Sequence, residues 1–260
     1  MTQPIKIWFQ GATDRVQHSA YIAKLEPHLR SVVDPSTTLS FNTTTPPATT
    51  THAVTEFRMA GNFIKNAVRA EHEGWDAVAI THFQDAGLAE TKSVTKLPVL
   101  GLGETTLTFS LTLGRKLGLV TINPQFIPWH EDQIIRYGLG ARVTGVRAVN
   151  CTVREFMEAF AAPESEVARN LAGKFEHECK ALLAAGADVI VPAGGLPMMM
   201  FASTPGANID GAPVVDGLAV LAKMTEAAVS LRRQCGIEVS RKSNYAFPPA
   251  QALQEFIERS

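Results

Sequence analysis

Short runs rich in valine and isoleucine alternate along the chain with longer segments in which apolar residues recur every three or four positions. The short runs predict strands buried on both faces, and the longer segments predict amphipathic helices that cover them. Strands are expected at residues 5–9, 38–41, 77–80, 99–102, 117–122, 141–149, 188–193 and 213–217. Helices are expected in segments that include 61–74, 131–138, 165–186 and 218–236, several ending at a glycine that suits a left-handed C-cap. The alternation indicates an α/β protein with parallel sheets.

One motif occurs twice, because a Gly-X-Asp sequence opens both GWDAVAITHFQ at Gly74 and GADVIVPAGGL at Gly186, 112 residues apart. The strand at 7–9 matches the run at 119–121 with the same spacing, which predicts two copies of one unit. Ligands of open parallel sheets bind beyond the carboxyl ends of the strands. The two loops that carry His82 and Gly194 are therefore expected to lie at equivalent points on opposite walls of one cleft.

Composition restricts the class of partner. The 260 residues are 45% hydrophobic and 19% charged, with a net charge of -1 and no cluster of lysine and arginine, so neither nucleic acid nor an anionic membrane is an expected partner. There is no apolar run long enough to span a membrane and no secretory signal, which places the protein in the cytoplasm. A small neutral or anionic molecule is the expected ligand.

Five segments resemble the aspartate/glutamate racemase superfamily, and most closely its hydantoin racemase branch. They are GWDAVAITHFQDAGL, LPVLGLGETT, GLVTINPQFIPWHEDQIIRYGL, GADVIVPAGGLP and GAPVVDGLAVLAKM. The resemblance implies two pseudosymmetric Rossmann-like α/β domains with parallel sheets and an active-site cleft between them. It predicts a first domain of residues 1–113 plus 220–260, a second domain of residues 114–219, and a homo-oligomer.

Enzymes of this family racemise their substrates without a cofactor, using one cysteine at the end of the Gly-X-Asp strand of each half. In this chain His82 and Gly194 stand at those two positions. The three cysteines, Cys151, Cys179 and Cys235, lie elsewhere and show no metal-binding spacing. The two-thiol mechanism of the family therefore cannot be transferred to this protein.

Three side chains are the candidate catalytic groups. His82 is the leading one, since imidazole accepts or donates a proton near neutral pH. Glu104 follows a strand and begins a predicted helix, where a carboxylate could equally serve the helix dipole. His130 precedes Glu131 and Asp132 in what looks like the first turn of a helix, so a structural role competes with a substrate contact. These three residue types could also bind zinc, but no ligand motif supports that, and no metal or cofactor is predicted.

The remaining candidates would bind the substrate. Consecutive N–H groups at Gly194 and Gly195 could form a concavity for a carboxylate or an enolate oxygen, although a tight turn would also require glycine. Neutral polar side chains are predicted at or beside the strand ends, and each could instead form a turn. They are Gln10, Thr81, Gln84, Thr121 and Asn123.

Three hypotheses about function follow. The first is a racemase or isomerase acting at an activated carbon α to a carbonyl of a small carboxylate or hydantoin-type substrate, with His82 as acid and base. The second is a decarboxylase, lyase or hydrolase on the same scaffold, because one base on one face does not easily invert a stereocentre. The third is a small-molecule binder without catalytic activity.

Overall fold

The computed structural model describes residues 3–48 and 52–259. Strands and helices alternate as the sequence predicts. The strands are β1 (Lys6–Gln10), β2 (Thr38–Asn42), β3 (Ala77–Ile80), β4 (Val99–Gly101), β5 (Leu117–Thr121), β6 (Val143–Ala148), β7 (Val189–Pro192), β8 (Asn208–Ile209) and β9 (Ala212–Pro213). The helices are α1 (Ser19–Val32), α2 (Ala53–His72), α3 (Leu88–Val94), α4 (Leu102–Ser110), α5 (Ile127–Arg136), α6 (Val153–Ala161), α7 (Glu166–Ala184), α8 (Gly195–Phe201), α9 (Gly217–Cys235) and α10 (Ala250–Arg259).

The chain divides into two compact units. The first contains the residues up to Gln17, Arg30–Gly101 and the residues from Leu221 onward, and the second contains His18–Leu29 and Leu102–Val220. The first unit has a parallel sheet in the order β2-β1-β3-β4. All four residues of β3 are completely buried, as expected for a central parallel strand covered on both faces.

The second unit repeats this strand order. Its parallel sheet runs β6-β5-β7, and Val214 extends it by a single parallel bridge to Ile190 in β7. This bridge takes the place that β4 has in the first sheet. The predicted α/β class with two parallel-sheet units is thus confirmed.

The spacing of the repeat needs one correction. In the first unit Ile7 pairs with Ala77, and in the second Leu117 pairs with Val189. The Gly-X-Asp strands are therefore 112 residues apart, as predicted, but the first strands, at 7 and 117, are 110 apart. Shifting a strand by two residues leaves every side chain on the same face, so the apolar pattern could not distinguish these registers.

Glycine ends the predicted helices as expected. Gly74, Gly138, Gly186 and Gly236 follow α2, α5, α7 and α9, and all four have positive φ between 66° and 97°. This is the conformation that lets glycine terminate a helix.

Two predicted elements differ from the structure. The strand expected at 213–217 is reduced to β9 and the Val214 bridge, because Asp216 already caps the next helix through its carboxylate. Helix α5 begins at Ile127, so Glu131 and Asp132 are not in its first turn as expected. Among the described residues, no helix is both long enough and apolar enough to cross a membrane.

Candidate active site

In the first unit, the loop after β3 is held in place by the backbone. The N–H of Thr81 donates to the carbonyl of Gln10, and the N–H of Asp85 donates to the carbonyl of His82. Asp85 has a φ of 56°, which turns the chain sharply before α3. The loop therefore presents His82 at a defined position at the carboxyl end of the sheet.

The imidazole of His82 lies beside a carboxylate. Nε2 of His82 is 3.1 Å from Oε1 of Glu56, and each side chain is 15% exposed. The two atoms are not aligned as a hydrogen bond, so Glu56 Oε1 has no hydrogen-bond partner among the described residues, and neither has the buried Nδ1 of His82. The ring of Phe63 lies 6.2 Å from the imidazole, centre to centre. This places a half-buried acid–base pair at the strand end.

Sequence analysis did not identify Glu56. It lies in the first turn of α2, which begins at Ala53, whereas the predicted helical segment begins at residue 61. A better placement of the helix start would have located an acidic residue there. Its proximity to His82 depends on how α2 packs on β3, and no local spacing reveals that.

The polar side chains near β1 mainly bond within the first unit. Gln10 is completely buried, where Oε1 accepts from Trp8 Nε1 and Asn66 Nδ2 at 3.0 and 2.9 Å. Thr81 Oγ1 donates to the Gln10 carbonyl at 3.2 Å. Gln84 is half-buried in the turn that follows His82. This network holds β1, β3 and α2 together beneath the His82 loop.

In the second unit, Gly194 occupies the position equivalent to His82. The N–H of Ala193 donates to the Val120 carbonyl as Thr81 does to Gln10, so the loops after β7 and β3 leave their sheets in the same way. Gly194 has φ 144° and ψ 155°, a region that is essentially restricted to glycine. Its N–H donates to the Pro192 carbonyl at 3.1 Å. Of the two predicted donors, Gly194 is therefore already bonded within the turn. Gly195 is the first residue of α8, where an N–H has no intrahelical acceptor.

Gly195 lies against the Tyr21 side chain. A Cβ placed on Gly195 would be 2.6 Å from the Tyr21 hydroxyl oxygen, which is far too close for any other residue to fit without a shift. Tyr21 is only 4% exposed, and burial, with a smaller contribution from the Asp216 charge, raises the pKa of its hydroxyl well above the usual range. The hydroxyl therefore remains protonated and can act as a hydrogen-bond donor.

Asp216 connects the start of α9 to His28. One carboxylate oxygen accepts from the N–H groups of Leu218 and Ala219 at the start of α9, at 3.1 and 3.0 Å. The other is 2.6 Å from Nε2 of His28 in α1. Sequence analysis did not identify Tyr21, His28 or Asp216 as part of this region. Tyr21 and His28 are both in α1, which is far along the chain from Gly195 and Asp216.

The other predicted residues of the second unit have structural neighbours. His130 is completely buried in α5, with Nε2 3.2 Å from Thr121 Oγ1 and Nδ1 3.4 Å from Gln133 Oε1. Asn123 does not end a strand as expected, since β5 stops at Thr121, and its side chain instead caps a short 3-10 helix by accepting from Gln125 N–H. Glu104 lies in the first turn of α4 as predicted and is half-buried.

A surface groove lies elsewhere in the second unit. Its volume is about 410 Å³, and its lining, mostly from α7 and the end of β6, includes Asn150, Asn170, Lys174 and His177. It contains none of the predicted site residues. Among the residues that the structure describes, no three histidine, cysteine, aspartate or glutamate side chains form a group that could hold a metal ion.

Comparison with known proteins adds to this geometry. The model of the Asp/Glu/hydantoin racemase family matches residues 19–225. A hydantoin racemase from Rhizobium meliloti is 28% identical over 211 residues, which cover 81% of this chain and 82% of that protein. An allantoin racemase from Klebsiella pneumoniae has a similar fold, with a TM-score of 0.76, 22% identity and 94% of each chain covered. A liganded mutant of arylmalonate decarboxylase is also similar in fold, with a TM-score of 0.61, 15% identity and coverage of 93% of this chain and 97% of that one.

Proposed function

This chain belongs to the Asp/Glu/hydantoin racemase family and is an enzyme of the racemase/isomerase type, and on that premise we propose the reaction that it catalyses. The substrate is a hydantoin-type ring or a small carboxylate with an activated carbon α to a carbonyl, and His82 is the acid–base group that removes the α-proton. Family membership supports the class of substrate. The observation that carries the role of His82 is its place in the loop after β3, half-buried beside Glu56.

The cysteines of the chain support an imidazole rather than a thiol as the base. Cys151 and Cys179 are buried, and burial raises the pKa of each thiol to about 12. Cys235 is exposed at the end of α9. None of the three lies in the loop after β3 or β7, so thiolate chemistry at these loops has no source in this chain.

Proton transfer would proceed through an enolate. A ring nitrogen of His82 accepts the α-proton, the C–H bond breaks, and its electron pair is delocalised onto the carbonyl oxygen. Backbone N–H groups are suitable donors to such an oxygen, and Gly195 remains the proposed donor of the second unit. If a solvent water protonates the enolate on the opposite face, the result is inversion, and the imidazolium releases its proton to the hydroxide that forms. Reprotonation by the imidazolium on the same face restores the original stereocentre.

One observation favours a second candidate. The positions of the two family cysteines carry one imidazole and one bare backbone, and a single base acts most directly on one face. A decarboxylase, lyase or hydrolase that uses His82 as the sole general base is therefore the alternative, and arylmalonate decarboxylase shows that this fold also hosts decarboxylation. The remaining proposed site residues rest on the sequence and the family resemblance; they are Glu104, His130, Gln10, Thr81, Gln84, Thr121 and Asn123.

Deuterium exchange tests the proposal. The protein is incubated in D2O with enantiopure 5-substituted hydantoins and small amino or hydroxy acids, and exchange and chirality are followed by NMR and chiral chromatography. Deuterium incorporation with inversion supports the racemase, and incorporation with retention, or release of CO2, supports the single-base alternative. His82→Asn should reduce either activity by about 10²-fold or more, the usual contribution of general acid–base catalysis.

His72→Asn is the matched control, because His72 is an exposed histidine in the last turn of α2 in the same unit. It should leave the exchange rate unchanged. Full activity in the His82→Asn variant would remove His82 from the mechanism.

Further properties of the protein are proposed from family membership alone. They are independence of a cofactor, a cytoplasmic location, assembly into a homo-oligomer, and domain boundaries near residues 113 and 220. Size-exclusion chromatography with light scattering measures the oligomeric state directly.

A further inference from the structure

We infer that Glu56 positions the catalytic imidazole of His82 and selects its tautomer. The inference rests on the proposed role of His82 and adds a residue that was not assigned to the site from the sequence. It starts from the distance of 3.1 Å between His82 Nε2 and Glu56 Oε1 in the first unit.

Glu56 lies at a position that suits a carboxylate side chain. Glu56 lies in the first turn of α2, where the helix dipole stabilises negative charge. It is also 85% removed from solvent, since its side chain is 15% exposed. A buried carboxylate oxygen without a hydrogen bond is unfavourable, and Glu56 Oε1 has no such bond among the described residues. A small rotation of the adjacent imidazole would supply one.

Neutral imidazole carries one N–H, and an ionised carboxylate can only accept a hydrogen bond. The proton of His82 therefore belongs on Nε2, which faces Glu56. This leaves the lone pair on Nδ1, a buried atom with no protein partner among the described residues. Nδ1 is therefore the ring nitrogen with a lone pair left for a proton, and a substrate reaches it when the residues that cover it move aside.

The same contact assists the chemical step. When Nδ1 takes the α-proton, the ring becomes an imidazolium with N–H groups at both nitrogens. The positive charge then lies beside the Glu56 carboxylate in a site with little solvent, where opposite charges attract more strongly than in water. Glu56 thus acts through His82 and does not itself exchange a proton with the substrate.

Histidine NMR tests the tautomer without any substrate. Protein labelled with nitrogen-15 in histidine is recorded at a pH where His82 is neutral, and the His82→Asn variant identifies the His82 signals. The wild-type protein should show the Nε2–H tautomer. In Glu56→Gln the amide can also donate to Nε2, so the signals should move toward the Nδ1–H tautomer, and Glu56→Asp should restore part of the original preference.

Glu71→Gln is the matched control. Glu71 is on the same helix and bonds to Thr95 Oγ1 and the Lys96 N–H, but has no contact with His82. It should leave the His82 signals and kcat unchanged even if it lowers stability. With an active substrate, Glu56→Gln should reduce kcat by about 10²-fold while KM changes little, because it alters the base and not the binding groups.

The outcomes separate the two proposals. A wild-type Nδ1–H tautomer, or His82 signals and kcat that Glu56→Gln leaves unchanged, would overturn the role of Glu56. If the tautomer responds to Glu56 but wild-type protein exchanges no substrate proton, the pair stands and the proposed function fails. If Glu56→Gln does not fold, the wild-type tautomer and the Glu56→Asp variant still decide the question.

Discussion

Gly194 and Gly195 are adjacent, but each position requires glycine for a different reason. Gly194 needs it because its backbone has a φ of 144°, which side chains rarely permit. Gly195 needs it because the Tyr21 hydroxyl fills the space where a Cβ would be. Sequence analysis could propose a turn or an anion-binding site here, but it could not distinguish these two reasons, because neither the dihedral angle nor the contact is visible in the sequence.

Replacing Gly195 tests the contact with Tyr21. Gly195→Ala should lower the free energy of unfolding by about 1–3 kcal/mol, because its methyl group would overlap the hydroxyl. In a Tyr21→Phe background the penalty should shrink, since the next atom, Tyr21 Cζ, is at an ordinary contact distance of 3.6 Å. Urea denaturation of the four proteins in this double-mutant cycle gives the coupling.

Gly173→Ala serves as the control in the same unit. Gly173 is within α7, and a Cβ there would meet nothing within 4 Å. This substitution should be stabilising by about 0.5–1 kcal/mol through helix propensity. Strictly additive effects of Gly195→Ala and Tyr21→Phe would contradict the proposed contact.

At the scale of elements, a buried carboxylate on helix α9 holds that helix to the connection between α1 and β2. Glu226 is 8% exposed, and its Oε1 accepts from the Asp34 N–H at 2.8 Å and from Thr37 Oγ1 at 2.5 Å. Its Oε2 bonds to Lys223. These contacts hold the connection between α1 and β2 against a helix that lies about 190 residues later in the chain.

Removing this carboxylate should weaken the first unit. Glu226→Ala leaves the Asp34 N–H and the Thr37 hydroxyl without their acceptor, so the free energy of unfolding should fall by about 2–3 kcal/mol. The measurement is thermal or urea unfolding. Glu176→Ala, which removes only an exposed i,i+4 pair with Lys180 on α7, should change stability by less than about 0.5 kcal/mol. An equal effect of both substitutions would show that the Glu226 contacts contribute little.

The elements also show where sequence patterns lose resolution. Short apolar runs identified the longer strands, most clearly the central ones, because central parallel strands are apolar on both faces. The same runs could not distinguish an offset of 110 from one of 112 for the first strands, and they extended the 213–217 strand into the cap of α9. Strand register and strand ends depend on hydrogen-bond partners in other parts of the chain.

At the scale of the whole molecule, none of the three thiols of the chain lies in the loop after β3 or in the loop after β7. Cys151 and Cys179 are buried with pKa values of about 12, and Cys235 is exposed. A raised pKa reduces the thiolate fraction at a given pH, and burial limits access by reagents. The three cysteines should therefore differ sharply in reactivity.

Alkylation of the native protein tests this difference. Iodoacetamide at mildly alkaline pH should modify one thiol quickly and the other two only after unfolding, as counted by mass spectrometry. Cys235→Ser should abolish the fast modification, and alkylated protein should retain its catalytic rate. A second fast thiol, or loss of activity after modification of the first, would point to a thiol in the mechanism.

The sequence by itself determined the α/β class, the duplicated unit and the family, because these follow from periodic apolar patterns and from residue identities at recognisable strand ends. Only the tertiary structure showed that Glu56 lies beside His82, that Tyr21 lies against Gly195, and that His130 is a buried residue. Each of these depends on the packing of a helix against a strand or loop that is distant in the chain. Such packing is governed by the combined burial of many side chains, and no single spacing in the sequence records it.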